Sequence, residues 1–240
     1  MKNNIAKYAK KSKDVLKKCY VPQKMKASSP AKISLKENCA FSLLPGPKYS
    51  CPGATDACKN CYAMKKRFLF PSAIKAYSEN WLLYKKLKKD NDLNGLVEKL
   101  SNIVPKGAKI FRIGESGDFV SSFYIDAWKK VIESRPEIKF YAYTRSFRFK
   151  YFDILKLPNF NLLASTDRYN NKRASVFVKK YRKYGVKRAY GPWRNKNKIP
   201  KNSFICPATN NKLKIAGACE KCNLCIVKGR MQKHVVFLRH

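Results

Sequence analysis

The sequence predicts an α/β protein, namely a partial or irregular (βα) barrel with mostly parallel strands, followed by a C-terminal cysteine-rich, cluster-binding segment. Three observations lead to this prediction. Apolar runs typical of buried strands alternate with runs of helical periodicity. The links between them are short, which favours parallel strands joined by crossover helices. Nine cysteines fall into groups with the spacing of metal ligands, which argues against a disulfide framework.

Changes in composition divide the chain into three predicted parts. Residues 1–32 are rich in lysine and poor in apolar positions, so we expect a basic N-terminal arm, in which Cys19 is a spectator thiol unless the arm folds back on the core. Residues 33–200 carry the alternating elements and form the βα-barrel-like domain, with a first cysteine loop near its start. Residues 201–240 form the C-terminal cysteine-rich segment.

The predicted elements follow one another in a regular order. Short apolar runs within residues 33–44 indicate a strand that leads into the first cysteine loop. Pro71 opens a first helix, and Asp92 is the predicted N-cap of a second. Strands are then predicted at residues 108–113, 138–143, 160–164, 186–190 and 202–205, and helices at residues 121–134, 147–155 and 174–184. So many units in series favour a complete or partial barrel over an open sheet.

The charge of the chain points to a polyanionic partner. There are 53 Lys and Arg against 15 Asp and Glu, which gives a formal net charge of +38 and a pI of about 10.0. Such a surface attracts phosphates, so RNA or DNA is the expected partner, with a lysine-rich genome bias as the alternative explanation. Neither a bilayer-length apolar run nor a secretory signal is found, and we therefore expect a cytoplasmic protein.

Cys51, Cys58 and Cys61 lie within the reach of one loop. Thiolates suit zinc and iron–sulfur clusters, so a metal site is the first hypothesis. Three thiolates leave a four-iron cluster one ligand short, and one iron would then be open to a small molecule. In the alternative, Cys39, twelve residues before Cys51, completes a closed structural site for zinc or for a fully ligated cluster.

A second cysteine group lies near the C-terminus. Cys206 precedes a proline, and Cys219, Cys222 and Cys225 follow at successive spacings of three. Ferredoxin-type sites combine such a run with a remote Cys-Pro pair, which favours a [4Fe–4S] cluster, with zinc as the alternative. With four sulfur ligands, this site would serve structure or electron transfer.

Polar residues follow three of the predicted strands, on the face where parallel folds bind ligands. Gly114 and Gly117 would let the backbone approach a ligand, while Glu115 and Asp118 would accept hydrogen bonds from an ammonium group or a ribose. We take Glu115 and Asp118 as candidate catalytic residues. The candidate cofactor-binding residues are Gly114, Glu115, Gly117, Thr144 and Ser165. The alternative is ordinary turn chemistry, in which Asp118 or Ser121 caps a helix.

Several aromatic residues lie among basic ones and are candidates for stacking on exposed bases. They are Tyr181, Tyr184, Tyr190 and Trp193. The candidate nucleic-acid contacts are Arg145, Arg168, Trp193 and Arg194. Each tyrosine, taken alone, is more often a packing residue.

From about Leu35 to the C-terminus the chain resembles the gene product 88 family of phages and mobile elements. The resemblance is carried by Cys58-x2-Cys61-Tyr62-Ala63, Gly114-Glu115-Ser116-Gly117-Asp118-Phe119, Tyr141-Ala142-Tyr143-Thr144-Arg145 and the Cys206-Pro207 group.

More remotely, the three-cysteine loop and the Gly114–Glu115 turn resemble the radical S-adenosylmethionine superfamily. This resemblance implies that Cys51, Cys58 and Cys61 ligate a [4Fe–4S] cluster whose open iron binds S-adenosylmethionine, beside a turn that contacts the methionine amino group. The chain differs in having six residues between Cys51 and Cys58 instead of three, and Asn60 where an aromatic residue is usual.

The combined expectation is an iron–sulfur enzyme of the radical type that acts on nucleic acid or while bound to it. The C-terminal cluster would relay an electron from a donor protein. The alternative is a non-enzymatic nucleic-acid-binding protein with structural or redox-sensing clusters or zinc sites.

Overall fold

The computed structural model describes residues 10–17, 22–28, 39–210 and 218–238. Within these residues one eight-stranded sheet has the order β1-β2-β3-β4-β5-β6-β8-β7. The strands are β1 (Ala27–Ser28), β2 (Cys39–Phe41), β3 (Ile110–Ile113), β4 (Lys139–Thr144), β5 (Phe160–Thr166), β6 (Lys187–Trp193), β7 (Ser203–Ile205) and β8 (His234–Leu238). Strand β1 is antiparallel to β2, and the other pairs are parallel. The expected α/β fold with a mostly parallel sheet is confirmed.

The helices precede, connect or follow the strands. They are residues 10–17, α1 (Pro71–Lys89), α2 (Leu93–Ser101), α3 (Ser122–Glu133), α4 (Phe152–Lys156), α5 (Asn171–Lys180) and α6 (Ala218–Cys222). Two starts match the predicted signals: Pro71 is the first residue of α1, and the Asp92 carboxylate accepts the Gly95 N–H at 2.7 Å. In the part of the chain that the structure describes, no helix has both the length and the apolar composition needed to cross a bilayer.

Both faces of the sheet are covered. Strands β2 to β6 lie side by side in chain order, and their connecting helices pack on one face of the sheet. There Trp128, fully buried, packs against Phe41 and Phe111. The opposite face is covered by the C-terminal segment, where Leu163 packs with Cys206, Met231 and Val235, while Tyr141 packs with Ile226. A parallel sheet buried on both sides explains why its strands are rich in apolar residues.

The described sheet is open rather than closed. Strands β1 and β7 lie at its two opposite edges, so a complete barrel, one of the two forms expected from the sequence, is not formed by the described strands. Strand β8 was not predicted, and it lies between β6 and β7. Strand order cannot be obtained from local periodicity, which explains the difference.

Part of the predicted basic arm packs against the core. Met25 is buried, the Lys26 N–H donates to the Asn80 side chain at 2.8 Å, and Ala27–Ser28 pair with β2. The ammonium group of Lys26 forms an ion pair with Glu79, whose side chain is buried. Residues 10–17 of the predicted arm form a helix, while residues 1–9, 18–21, which include Cys19, and 29–32 lie outside the described residues.

His234 gives the end of the sheet a testable pH dependence. Its Nδ1 accepts the N–H of Arg188 in β6 at 3.2 Å. Burial, helped by the charges of Arg188 and Lys187, lowers the pKa of His234 below its usual 6.5. The folded state therefore prefers the neutral imidazole. The contribution of His234 to the free energy of unfolding is fully present above the unfolded-state pKa and is lost as the pH falls through the lower folded-state pKa.

We expect the melting temperature to fall more between about pH 7.5 and 5.5 in the wild-type protein than in a His234→Asn variant, whose side-chain oxygen retains the acceptor without titrating. Thermal unfolding followed by circular dichroism at both pH values measures this. An equal fall in the two proteins would contradict the assignment.

Candidate metal centre

The loop after β2 brings Cys51, Cys58 and Cys61 together at the carboxyl edge of the sheet. Short 3-10 turns at Asp56–Asn60 and Tyr62–Met64 shape this loop. The thiol of Cys51 is close enough to Cys58 and Cys61 for their charges to raise its pKa. The three residues predicted as ligands therefore form one group, which we call the cysteine trio.

A backbone N–H group donates to each sulfur of the trio. The Gly46 N–H lies 3.3 Å from Cys51 Sγ, the Thr55 N–H lies 3.4 Å from Cys58 Sγ, and the Ala63 N–H donates to Cys61. Hydrogen bonds of this kind favour thiolates and tune the potential of iron–sulfur clusters. Burial acts in the opposite direction and raises the pKa of Cys51 to about 12. A bound cation would therefore have to displace the thiol proton.

Close backbone packing docks the loop on the neighbouring strand ends. A Cβ added at Gly53 would lie 2.1 Å from the carbonyl oxygen of Arg145, which follows β4. The Thr55 hydroxyl donates to Asp167 at 2.8 Å, and Asp167 also forms an ion pair with Arg145. The carboxyl ends of β4 and β5 therefore hold the cysteine loop in place. Arg145, predicted as a nucleic-acid contact, instead lies within this network, and its charge lowers the pKa of Cys61 against the larger effect of burial.

Asp118 connects the end of β4 to the cysteine loop through hydrogen bonds. Its carboxylate accepts hydrogen bonds from the Thr144 hydroxyl at 2.7 Å, the Arg145 N–H at 2.8 Å and the Phe119 N–H at 2.7 Å. Its own N–H donates to Ser50, the residue before Cys51, at 3.0 Å. Burial raises the pKa of Asp118 despite these donors. The geometry gives Asp118 a positioning role, while its predicted catalytic role stays a prediction.

The Gly-Glu turn is attached to the same loop. Gly114 and Gly117 adopt φ angles of 71° and 86°, and a Cβ at Gly117 would lie 2.4 Å from Ser50 Oγ. The Glu115 N–H donates to Phe41 at 3.0 Å, and its carbonyl accepts the Tyr62 hydroxyl. Both glycines thus adopt a backbone conformation that favours glycine, while their predicted approach to a ligand stays a prediction. Glu115 is buried, and its backbone contact is with Tyr62, the residue after Cys61.

The other two predicted cofactor residues also lie at this edge. Thr144 is fully buried at the end of β4, where its hydroxyl accepts the Ser146 N–H at 2.9 Å. Ser165 is half-buried near the end of β5, and its carbonyl accepts the Asn170 side-chain amide at 3.0 Å. That Thr144 and Ser165 contact a ligand stays a prediction, and the Thr144 hydroxyl is already bonded to Asp118.

The C-terminal cysteines form a second group on the sheet face opposite the helices. Burial, together with the nearby charges of Cys206, Cys219 and Cys222, raises the pKa of Cys225 to about 12. The Cys206 N–H donates to Val236 in β8 at 2.8 Å, and the Asn161 side chain donates to the Cys225 carbonyl at 2.9 Å. The four predicted ligands are therefore close to one another and anchored on the sheet.

Neither group has the arrangement of a single-ion site. Among the described residues, no set of three or more His, Cys, Asp or Glu side chains is placed to hold one metal ion. A zinc ion requires four ligands at about 2.0–2.3 Å, whereas a four-iron cube holds its thiolates at separate corners. Thiols without histidine suit zinc and iron–sulfur clusters alike, so the choice between them stays a prediction.

Cys39 lies away from the trio. It begins β2, in the core on the helix-covered face, with its sulfur 4.0 Å from the Ile103 carbonyl. Burial raises its pKa to about 11. The trio follows the opposite end of this strand, so the structure does not bring Cys39 to the site as a fourth ligand.

Sequence reasoning missed the roles of three residues that lie between the two cysteine groups, namely Tyr62, Arg112 and Tyr143. Arg112 Nη2 donates to the Tyr62 hydroxyl at 3.0 Å, and its guanidinium lies 5.2 Å from the centre of the Tyr143 ring. The Tyr143 hydroxyl is hydrogen-bonded to Cys225. These contacts run from the residue after Cys61 to a C-terminal cysteine. An arginine inside an apolar strand was the available signal.

The predicted stacking residues differ in exposure. Tyr181 and Tyr190 are buried, so the expectation that they stack on bases is wrong, and Tyr184 packs against the core. The Trp193 Nε1 donates to the Lys198 carbonyl at 3.0 Å, and Arg194 is exposed. The Arg168 guanidinium lies 4.5 Å from the ring centre of Tyr169, an exposed residue that was not predicted.

The family model described as gene product 88 matches residues 3–228, which include both cysteine groups. The chain belongs to the gene product 88 family. The Gene 88 protein of Mycobacterium phage L5 is 32% identical over 216 residues, covering 82% of this chain and 85% of that protein. The Gene 88 protein of Mycobacterium phage D29 is 33% identical over 217 residues, with the same coverage of 82% and 85%. No solved structure matches the chain.

A Gly53→Ala substitution tests the docking of the cysteine loop. Because the added Cβ meets the Arg145 carbonyl, we expect the loop to shift and the trio to react several-fold faster with a thiol reagent, at a cost of about 1–3 kcal/mol in unfolding free energy. Mass spectrometry after timed alkylation measures the reaction at each cysteine.

Gly229→Ala is the matched control. Gly229 has a φ of 78° but no atom within 4 Å of an added Cβ, so the substitution strains the backbone by about 1–2 kcal/mol without touching the loop. Equal labelling of the trio in the two variants would show that the close approach at Gly53 does not hold the loop.

Proposed function

We propose that the protein is an iron–sulfur protein of the radical S-adenosylmethionine type that acts on nucleic acid or while bound to it. The cysteine trio would hold an open [4Fe–4S] cluster, and Cys206, Cys219, Cys222 and Cys225 would hold a second one. The observation that carries the proposal is the trio itself, with a backbone N–H donating to each sulfur. Cys39, the alternative fourth ligand, lies in the core with its sulfur 4.0 Å from the Ile103 carbonyl.

The sheet supports this proposal. Strands β2 to β6 are parallel and consecutive, an order expected for the wall of an open (βα) barrel. Ligand sites of parallel folds lie at the carboxyl ends of the strands, and the trio, the Gly-Glu turn and Thr144 all lie there. We therefore regard the open sheet as a partial barrel.

Each residue around the trio has a proposed task. When bound, a reduced cluster with one open iron would supply reductive cleavage of S-adenosylmethionine. The Glu115 carboxylate would accept hydrogen bonds from the methionine ammonium group, and Gly114 would let this group approach the backbone. Asp118 would act as a positioning residue, because it fixes Thr144 and Arg145 against the loop. Ser165 would contribute a hydroxyl to the same ligand.

The C-terminal cluster would relay an electron from an external donor protein. The contacts from Tyr62 through Arg112 to Tyr143 and Cys225 link the two cysteine groups and are consistent with this task. The net charge of +38 supports nucleic acid as the polyanion that the protein binds.

A second candidate is a non-enzymatic nucleic-acid-binding protein with structural or redox-sensing sites. It is favoured by Asp118, whose carboxylate is already occupied by three protein donors, as in a purely structural turn. Zinc remains the alternative metal under this candidate.

Metal content after anaerobic reconstitution tests the ligand assignment. We expect about eight iron and eight sulfide per chain, with about four of each lost in a Cys51→Ala, Cys58→Ala, Cys61→Ala triple variant. Cys39→Ala is the matched control and should keep full iron, since Cys39 lies in the core away from the trio. Iron loss in Cys39→Ala with retained folding, or bound zinc in place of iron, would overturn the open-cluster proposal.

The reaction is tested by adding S-adenosylmethionine and dithionite to the iron-loaded protein. We expect 5′-deoxyadenosine, detected by liquid chromatography and mass spectrometry, in the wild type and none in the triple variant. If a fully iron-loaded wild-type sample gives none, the radical activity is excluded and the second candidate stands.

A further inference from the structure

The positive charge of the chain is distributed unevenly. Residues 168–219 contain 15 Lys and Arg and no Asp or Glu, whereas the 15 acidic residues all lie elsewhere in the chain. In the described part, this acid-free stretch runs through the turn after β5, helix α5, the 3-10 turn Arg182–Tyr184, strands β6 and β7 and the start of α6, and its residues 211–217 lie outside the described residues. Local acidic groups that would neutralise its cations are therefore absent from its own sequence.

The acid-free stretch begins beside the cysteine trio. It starts directly after Asp167, which accepts the Thr55 hydroxyl of the cysteine loop. Lys59 of that loop lies near enough to Tyr169 for the two groups to interact electrostatically. Helix α5 then leads away from this point with exposed Lys172 and Arg173 in its first turn. A polyanion bound along this stretch would therefore lie next to the cysteine loop.

Two exposed aromatic side chains lie around the trio. Tyr169 is 49% exposed and carries the Arg168 guanidinium against its ring, while Tyr62, next to Cys61, is 52% exposed. Such rings provide stacking faces for unpaired bases, and the bases of a duplex have no free face to offer. A base that is paired inside a duplex also has to leave its stack before it can contact a protein side chain face to face.

We infer that the surface formed by the turn after β5 and helix α5, beside the cysteine trio, binds a single strand of nucleic acid, with one base stacked on Tyr169 and its phosphates on Lys172 and Arg173. The inference rests on the proposed function only for the chemistry done on the bound strand. Binding itself requires only the described surface, so the two can fail separately.

Fluorescence anisotropy with labelled 12-nucleotide DNA and RNA strands, and with the matching duplexes, tests the inference on the full chain. We expect single strands to bind more tightly than duplexes. Tyr169→Ala should weaken binding about 5- to 150-fold, the usual range for one stacked base, while Tyr169→Phe should stay within about twofold. Tyr169 is half exposed, so neither change disturbs the core.

A charge-reversal pair separates the surface from net charge alone. Lys172→Glu with Arg173→Glu should reduce the slope of log affinity against log salt by about 1.4, because two phosphate contacts are lost. Lys85→Glu with Lys88→Glu changes the net charge equally on exposed positions of α1 and should leave most of that slope intact. Comparison of the DNA and RNA arms shows which polymer is preferred.

Three outcomes would overturn the inference: unchanged affinity in Tyr169→Ala, equal or tighter binding of duplexes, or equal effects of the two charge reversals. A sample that binds single strands through Tyr169 but holds no iron would instead overturn the proposed function and support the inference. Iron content measured on the same samples distinguishes the two failures.

Discussion

The candidate site depends on the hydrogen bonds that the buried carboxylate of Asp118 accepts. It accepts hydrogen bonds from Thr144, Arg145 and Phe119, and its own backbone binds Ser50 beside the first cysteine of the trio. Burying a carboxylate is costly, and here several donors directed at its two oxygens offset that cost. The result is that the loops after β2, β3 and β4 share one fixed point, and the glycines at 114 and 117 allow the backbone to reach it.

Around this fixed point the trio is balanced between two opposing effects. Desolvation holds the thiols of Cys51 and Cys61 in their protonated form, while backbone N–H groups favour the thiolates. A site of this kind discriminates in favour of ligands that bring positive charge, since only they recover the cost of removing the proton. Arg145 adds a cation near Cys61, and Asp167 holds that cation in place.

Much of the fold could be predicted because periodicity reports burial. The strands near residues 110, 140 and 160 and helix α3 were found from apolar spacing, and the cysteine groups from their intervals. Spacing could not decide the role of Cys39, because the number of residues between two cysteines does not show that they lie at opposite ends of a strand. Tyr181 and Tyr169 look equivalent in sequence, yet one is buried and the other half exposed. The contact partners of Arg112 and the place of β8 in the sheet depend on long-range contacts, which carry no local pattern.

The position of β8 has a consequence for the order of folding during synthesis. Strand β7 pairs only with β8 in the described sheet, and β8 separates it from β6. The edge containing β7 therefore cannot assemble until residues 234–238 have left the ribosome, long after the first cysteine loop has emerged. Until then Leu163 and Ala189 lack their contacts with Val235, so part of this apolar cluster stays exposed on the nascent chain until β8 has emerged.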